Sequence, residues 1–148
     1  MIRKLGENIS KAFIMGSNYF FKKYEDFETK DIDYIVLVDK PLMFKTELNI
    51  RGKNKDVYYY KRLPLDEFIE LTLKQDPMCA GKFLIPEFCK ELGFAIDHLK
   101  RLSDKFKNID KKHSYEKIIY DAYIENNDFS LTENQRLKAY NVYKIYKK

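Results

Sequence analysis

The chain predicts an α+β fold: a small mixed sheet with flanking helices and a helical C-terminal part. Three features of the pattern carry this reading. Strand-like runs are confined to residues 1–62. Residues 63–148 carry apolar residues at helical spacing instead. No internal repeat, low-complexity tract or Gly/Ser linker separates the two parts, so residues 1–148 read as one domain.

The elements follow in order. Ile2–Ser10 reads as a short helix. Ala12–Met15 is an apolar run of buried-strand type, stopped by Gly16-Ser17. Asn18–Glu25 reads as a short helix that packs Tyr19, Phe20 and Tyr24. Lys30–Val38 is the clearest strand. Asp31, Asp33, Ile35 and Leu37 fall on one face, and Ile32, Tyr34, Val36 and Val38 on the other. Lys45–Ile50 reads as an edge strand, Arg51–Asn54 as a turn, and Asp56–Tyr60 as a Val- and Tyr-rich strand.

Pro64 suits the first turn of a helix. Leu65, Phe68, Ile69 and Thr72 then form its apolar stripe, with Asp66 and Glu67 where the helix dipole favours acids. Asp76-Pro77 ends it. Leu92, Ala95, Ile96, Leu99, Leu102 and Phe106 form a second stripe. Tyr115, Ile118, Ile119 and Ala122 form a third. Ser130-Leu-Thr-Glu133 matches a capping box that opens the last helix.

Apolar residues make up 45% of the chain and charged residues 34%, a balance that folds rather than staying disordered. The net charge of +5 permits a polyphosphate or nucleic-acid partner without demanding one, and for charge taken alone a solvated Lys-rich surface is the better reading. Cys79 and Cys89 form no CxxC motif, so two buried thiols in a reducing compartment are expected, with a Cys79–Cys89 disulfide as the alternative. No signal-type or membrane-length apolar run is present. The expectation is a cytoplasmic protein, in its own cell or a host's, without a membrane partner.

Three features within a short stretch could carry chemistry. A strand ends in Gly16-Ser17 and enters a helix. A second strand carries Asp31-Ile32-Asp33. A third begins with Asp56. Residues i and i+2 of a strand share a face, so Asp31 and Asp33 present two carboxylates together. Their repulsion is relieved by a hard cation such as Mg²⁺, which prefers oxygen ligands. A third carboxylate lets such a site hold two ions about 3.5–4 Å apart. Gly16 allows close backbone approach to a phosphate, and Ser17 with the following amides can bind it. Taken singly, each piece is ordinary: Gly-Ser is common in turns and Asp-x-Asp on solvated strands. Their order and strand positions make the combination more specific.

This set resembles the DNA-polymerase-β-type nucleotidyltransferases, whose pattern is a Gly-Ser turn, an Asp-x-Asp pair and a later Asp. Here these are Gly16-Ser17, Asp31-Ile-Asp33 and Asp56. Within that superfamily the chain is most similar to predicted nucleotidyltransferases of bacteria and large phages. In those the third Asp opens a strand, a Leu-rich helix follows, and an Asn/Asp-Pro pair comes next. The matching stretches are Asp56–Tyr60, Leu63–Lys74 and Asp76-Pro77. The resemblance implies transfer of a nucleoside monophosphate from a nucleoside triphosphate, such as ATP, to an acceptor that is a protein, an RNA or a small molecule. It implies two Mg²⁺ ions, replaceable by Mn²⁺, on Asp31, Asp33 and Asp56. It also implies that Asp56 helps activate the acceptor hydroxyl, and that Gly16 and Ser17 hold the phosphates. Lys22, which follows the Gly-Ser turn, is a further candidate phosphate contact, with a solvated helix face as the equal alternative. The second Gly usual in the family after Gly-Ser is replaced by Asn18-Tyr-Phe-Phe-Lys-Lys-Tyr24. Two alternatives follow: a catalytically inactive binding module of the same fold, or an antitoxin-like nucleotidyltransferase that modifies a partner protein.

The remaining polar features carry bland readings. His98 and His113 are expected to be ordinary surface or core histidines. Lys61-Arg62 after Tyr58-Tyr59-Tyr60 reads as strand packing with a basic end. Lys144, Lys147 and Lys148 suit a helix C-terminus.

Overall fold

A computed structural model of the chain describes residues 9–28, 31–39, 47–52, 54–75 and 77–146. They form a mixed α+β structure that divides into two compact units, Met1–Leu63 and Pro64–Lys148.

The first unit is a four-stranded sheet with one short helix. Strands β1 (Ile9–Met15), β2 (Ile32–Val38), β3 (Glu47–Gly52) and β4 (Lys55–Lys61) stand in the order β1-β2-β4-β3. β1 runs antiparallel to β2, β2 parallel to β4, and β3 antiparallel to β4. The end of β1, the starts of β2 and β4, and the β3–β4 turn therefore gather at one end of the sheet. Helix α1 (Ser17–Phe21) follows β1 directly. Phe20 and Phe21 of α1 are buried, and Phe21 lies 6.5 Å from Tyr24 and 6.4 Å from Phe27, centroid to centroid.

β2 is a central strand, and Ile35, Val36, Leu37 and Val38 are all buried. Consecutive side chains alternate faces, so both faces of β2 are covered. One face holds a cluster of Val36, Val38 and Tyr59 with Ile50 and Val57 packed on it. β3 is an edge strand, as expected.

The second unit is helical. It contains α2 (Leu65–Leu73), a 3₁₀ segment (Pro77–Leu84), α3 (Pro86–Leu92), α4 (Ile96–Lys100) and α5 (Ser103–Lys107). A short 3₁₀ turn (Lys111–His113), α6 (Ser114–Asn126) and α7 (Glu133–Tyr146) complete it. Its core is strongly aromatic. The Phe83 and Phe94 rings stack at 4.3 Å, and the Phe106 and Tyr120 rings at 4.6 Å. Cys89 is a free, buried thiol whose S–H donates to the Phe83 carbonyl at 3.1 Å. Burial pushes its pKa up, so it stays a protonated packing group. The side chain of Cys79 lies outside the described residues. Among the described residues, no helix is long and apolar enough to cross a membrane.

Several sequence expectations are corrected. Ile9 and Ser10, assigned to a first helix, belong to β1, and the rest of that stretch lies outside the described residues. The helix expected over Asn18–Glu25 stops at Phe21, and turns follow. Pro64 is the N-cap of α2 rather than part of its first turn. The stripe from Leu92 to Phe106 is not one helix. Leu99, Leu102 and Phe106 are fully buried as expected, but the chain breaks at Gly93 and again after Lys100. Gly93 has φ 71°, a left-handed conformation that costs an L side chain energy. The Phe94 N–H bonds to the Cys89 carbonyl at 2.8 Å and the Gly93 N–H to the Lys90 carbonyl at 3.3 Å, a Schellman termination. α6 ends the same way at Asn127, φ 56°.

The last capping box is displaced by two residues. The overlapping pattern Thr132-Glu-Asn-Gln135 forms it, not Ser130–Glu133. The Gln135 N–H donates to Thr132 Oγ1 at 3.1 Å, and the Thr132 N–H donates to Gln135 Oε1 at 2.9 Å. The Ser130 hydroxyl bonds to Asp128 instead.

Two outcomes follow for thermal or urea unfolding. Thr132→Ala is expected to cost about 1 kcal/mol, and Ser130→Ala clearly less. Equal costs would return the cap to Ser130. Gly93→Ala is expected to cost about 1–2 kcal/mol from backbone strain alone, since nothing lies within 4 Å of a Cβ added there.

Candidate functional site

The candidate site is built at the end of the sheet where β1 stops and β2 and β4 begin. Gly16 joins β1 to α1 with φ 70° and ψ −154°, a region open essentially to glycine alone. This conformation turns the chain sharply into the helix, and the Tyr19 N–H closes the turn on the Gly16 carbonyl at 3.1 Å. Gly16 and Ser17 are half-buried.

The Asp31–Asp33 backbone is held from two directions. Asn18, buried in α1, donates its side-chain amide to the Asp31 carbonyl at 3.2 Å. The Ile32 N–H donates to the carbonyl of Asn54 at 3.0 Å. Asn54 has φ 63°, a conformation that Asn tolerates better than most residues. The β3–β4 turn and α1 thus clamp the acidic strand entry between them.

The strand register then aligns four residues in a row across the sheet. Met15 pairs with Asp33, Asp33 with Asp56, and Asp56 with Arg51. Register partners on neighbouring strands share a face and sit about 4.8 Å apart. Asp33 and Asp56 therefore stand side by side, both half-buried, at the entry to a buried sheet. Arg51 adds an exposed guanidinium next to Asp56.

The sequence-predicted residues fare differently. Asp33 and Asp56 are brought together, and Gly16 follows Met15 at the near end of the same row. Asp31 lies outside β2 and is exposed. Among the described residues, no group of three or more His, Cys, Asp or Glu side chains is placed to hold a metal ion. Lys22 is the exposed C-cap of α1, about 7.5 Å of helix rise beyond Ser17. A five-residue helix is also too short for its dipole to hold a phosphate strongly. Asn18 and Arg51 were not marked in the sequence reading. Only the register and the tertiary hydrogen bond give them a place beside the acids.

The donor set nevertheless fits a hard divalent cation. Mg²⁺ is commonly held by one or two carboxylates, with substrate phosphates and waters filling the rest of its shell. Asp33 and Asp56 supply such a pair. No family model, no curated protein and no solved structure matches this chain.

Proposed function

We propose that the chain is a Mg²⁺-dependent nucleotidyltransferase that moves a nucleoside monophosphate from a nucleoside triphosphate to an acceptor hydroxyl. The observation that carries this reading is the parallel register of Asp33 with Asp56, which sets two carboxylates side by side next to the Gly16 turn.

In this reading Asp33 and Asp56 hold the ion. When bound, Mg²⁺ would neutralise the phosphates and the charge that develops during transfer. The Gly16–Ser17 backbone approaches the β- and γ-phosphates, since no Cβ at Gly16 stands in the way. Asp56 accepts the acceptor's hydroxyl proton. The acceptor oxygen then bonds to the α-phosphorus, the α–β phosphoanhydride bond breaks, and pyrophosphate leaves. Asp31 has a supporting role as an exposed negative charge at the strand entry. A cytoplasmic setting agrees with this chemistry.

A second reading, an inactive binding module of the same fold, is favoured by one observation. Asp31, Asp33 and Asp56 do not form a three-carboxylate cluster among the described residues.

Thermal-shift titration with each NTP, with and without Mg²⁺, separates the two. At least one NTP is expected to raise the melting temperature only when Mg²⁺ is present, by a few degrees at saturating ligand. Asp33→Asn and Asp56→Asn are each expected to remove that Mg²⁺-dependent shift, whereas Asp31→Asn keeps at least about half of it. No shift with any NTP would leave the inactive module. An equal loss in all three variants would restore Asp31 as a full ligand.

A further inference from the structure

The helical unit contains a buried ionisable pair that the proposed chemistry does not use. Glu116, in the first turn of α6, is only 6% exposed. One of its oxygens lies 3.2 Å from Nδ1 of His113. The other occupies the space that a Cβ on Gly81 would need. Gly81 lies in the 3₁₀ segment Pro77–Leu84, so the carboxylate is pressed against the backbone of that segment. Two turns further along α6, the Tyr123 hydroxyl donates to the Leu84 carbonyl at 2.9 Å. One helix thus fastens the segment at two points. The Tyr123 point is a hydroxyl-to-carbonyl hydrogen bond and the Glu116 point is a carboxyl group. A 3₁₀ segment has poorer hydrogen-bond geometry than an α-helix and depends more on such outside contacts.

We propose that His113 and Glu116 form a pH-sensitive clasp that fastens Pro77–Leu84 to α6, closed while the pair holds a proton and loosened when that proton passes to water. With the proton present, the buried carboxylate faces an imidazolium or is itself neutral. Without it, an uncompensated anion is left against the Gly81 backbone, and opening the segment is the way to hydrate it.

The surrounding charges leave this direction intact. The contact with Glu116 raises the pKa of His113 above its ordinary 6.5, outweighing the lowering by burial. Burial raises Glu116 above its ordinary 4.5, outweighing the opposing pull of His113. Asp110 raises both, and Lys112 lowers His113. From the fastened segment, Lys82 places its ammonium over the rings of Phe68 and Phe83, 5.9 and 5.2 Å from their centroids. From α5, Asp104 acts on Tyr120, one turn beyond Glu116. From α4 comes His98, whose Nδ1 accepts the Ala95 N–H. α7 carries Arg136, Lys138 and Lys144, the last with its ammonium 4.7 Å from the Tyr140 ring.

The sign of the pH effect follows. Both groups hold their proton more tightly in the folded state. Their contribution is fully present below the ordinary values of 4.5 and 6.5, and it is lost as pH rises through the raised folded values. The clasp therefore loosens across neutral pH and holds in mild acid.

Hydrogen exchange on the full chain, corrected for the intrinsic pH dependence of amide exchange, tests this. Protection of the amides in 77–84 is expected to fall about tenfold between about pH 5 and about pH 8. Glu116→Gln should hold it constant within about twofold. Tyr123→Phe should lower it by the same factor at every pH. Constant protection in the wild type, or a wild-type fall in Glu116→Gln, overturns the clasp. If Glu116→Gln does not fold, the His113 ring resonances of the wild type decide: a titration midpoint above 6.5 supports the clasp, and one at or below 6.5 overturns it.

Discussion

The parallel pairing of β2 with β4 is the constraint on which the first unit depends. It sets Asp33 against Asp56 and, at the same time, places Val36 and Val38 beside Tyr59 in the apolar cluster on the opposite face. A slip of one residue would send every side chain of β2 to the other face. It would part Asp33 from Asp56 and Val36 from Tyr59. The packing of Val36 and Val38 with Tyr59 and the placing of the two acids therefore depend on the same register. The geometry of the candidate site is a by-product of packing several residues away.

The helical unit is organised by chain terminations as much as by its stripes. Short helices leave many backbone groups without intrahelical partners. Here they are satisfied locally: by the Schellman turns at Gly93 and Asn127, by the Thr132–Gln135 box, and by His98 accepting the Ala95 N–H at 2.8 Å. Buried Thr72 returns its hydroxyl to the Phe68 carbonyl at 3.0 Å. Such closures allow the chain to turn often and still surround one aromatic core.

What could be read in the sequence and what could not divide along physical lines. The strand over Ile32–Val38 was legible because alternation and an apolar run pointed to the same register. The edge position of β3 and the stripes of α2 and α6 were legible for the same reason. The break at Gly93 was not, because the apolar spacing continues across it and only the left-handed glycine reveals the turn. The last cap was misplaced because two box patterns overlap in Ser130–Gln135, and the choice depends on which hydroxyl faces the helix entry. Within the site, Asp33 and Asp56 were legible as strand-entry acids. Their adjacency was not, since it depends on the edge strand β3 intervening in sequence and not in space. Asn18 and Arg51 carry no local signal at all. His113 and Glu116 stand at i, i+3, a spacing that permits contact, but nothing local indicates that Gly81 would close over the carboxylate.

The row Met15–Asp33–Asp56–Arg51 sets electrostatics against packing. Like charges on neighbouring strands destabilise a sheet, and half-burial weakens the solvent screening that would otherwise separate them. Arg51, on the far side of Asp56, offsets part of that repulsion. It cannot stand equally close to Asp33, which has Met15 as its other neighbour. A sheet optimised only for stability would place Thr or Val at one of these two positions. Under the proposed function, Asp33 and Asp56 side by side, with Arg51 on one flank and the Gly16 turn on the other, are the groups that would receive a divalent ion with its phosphates.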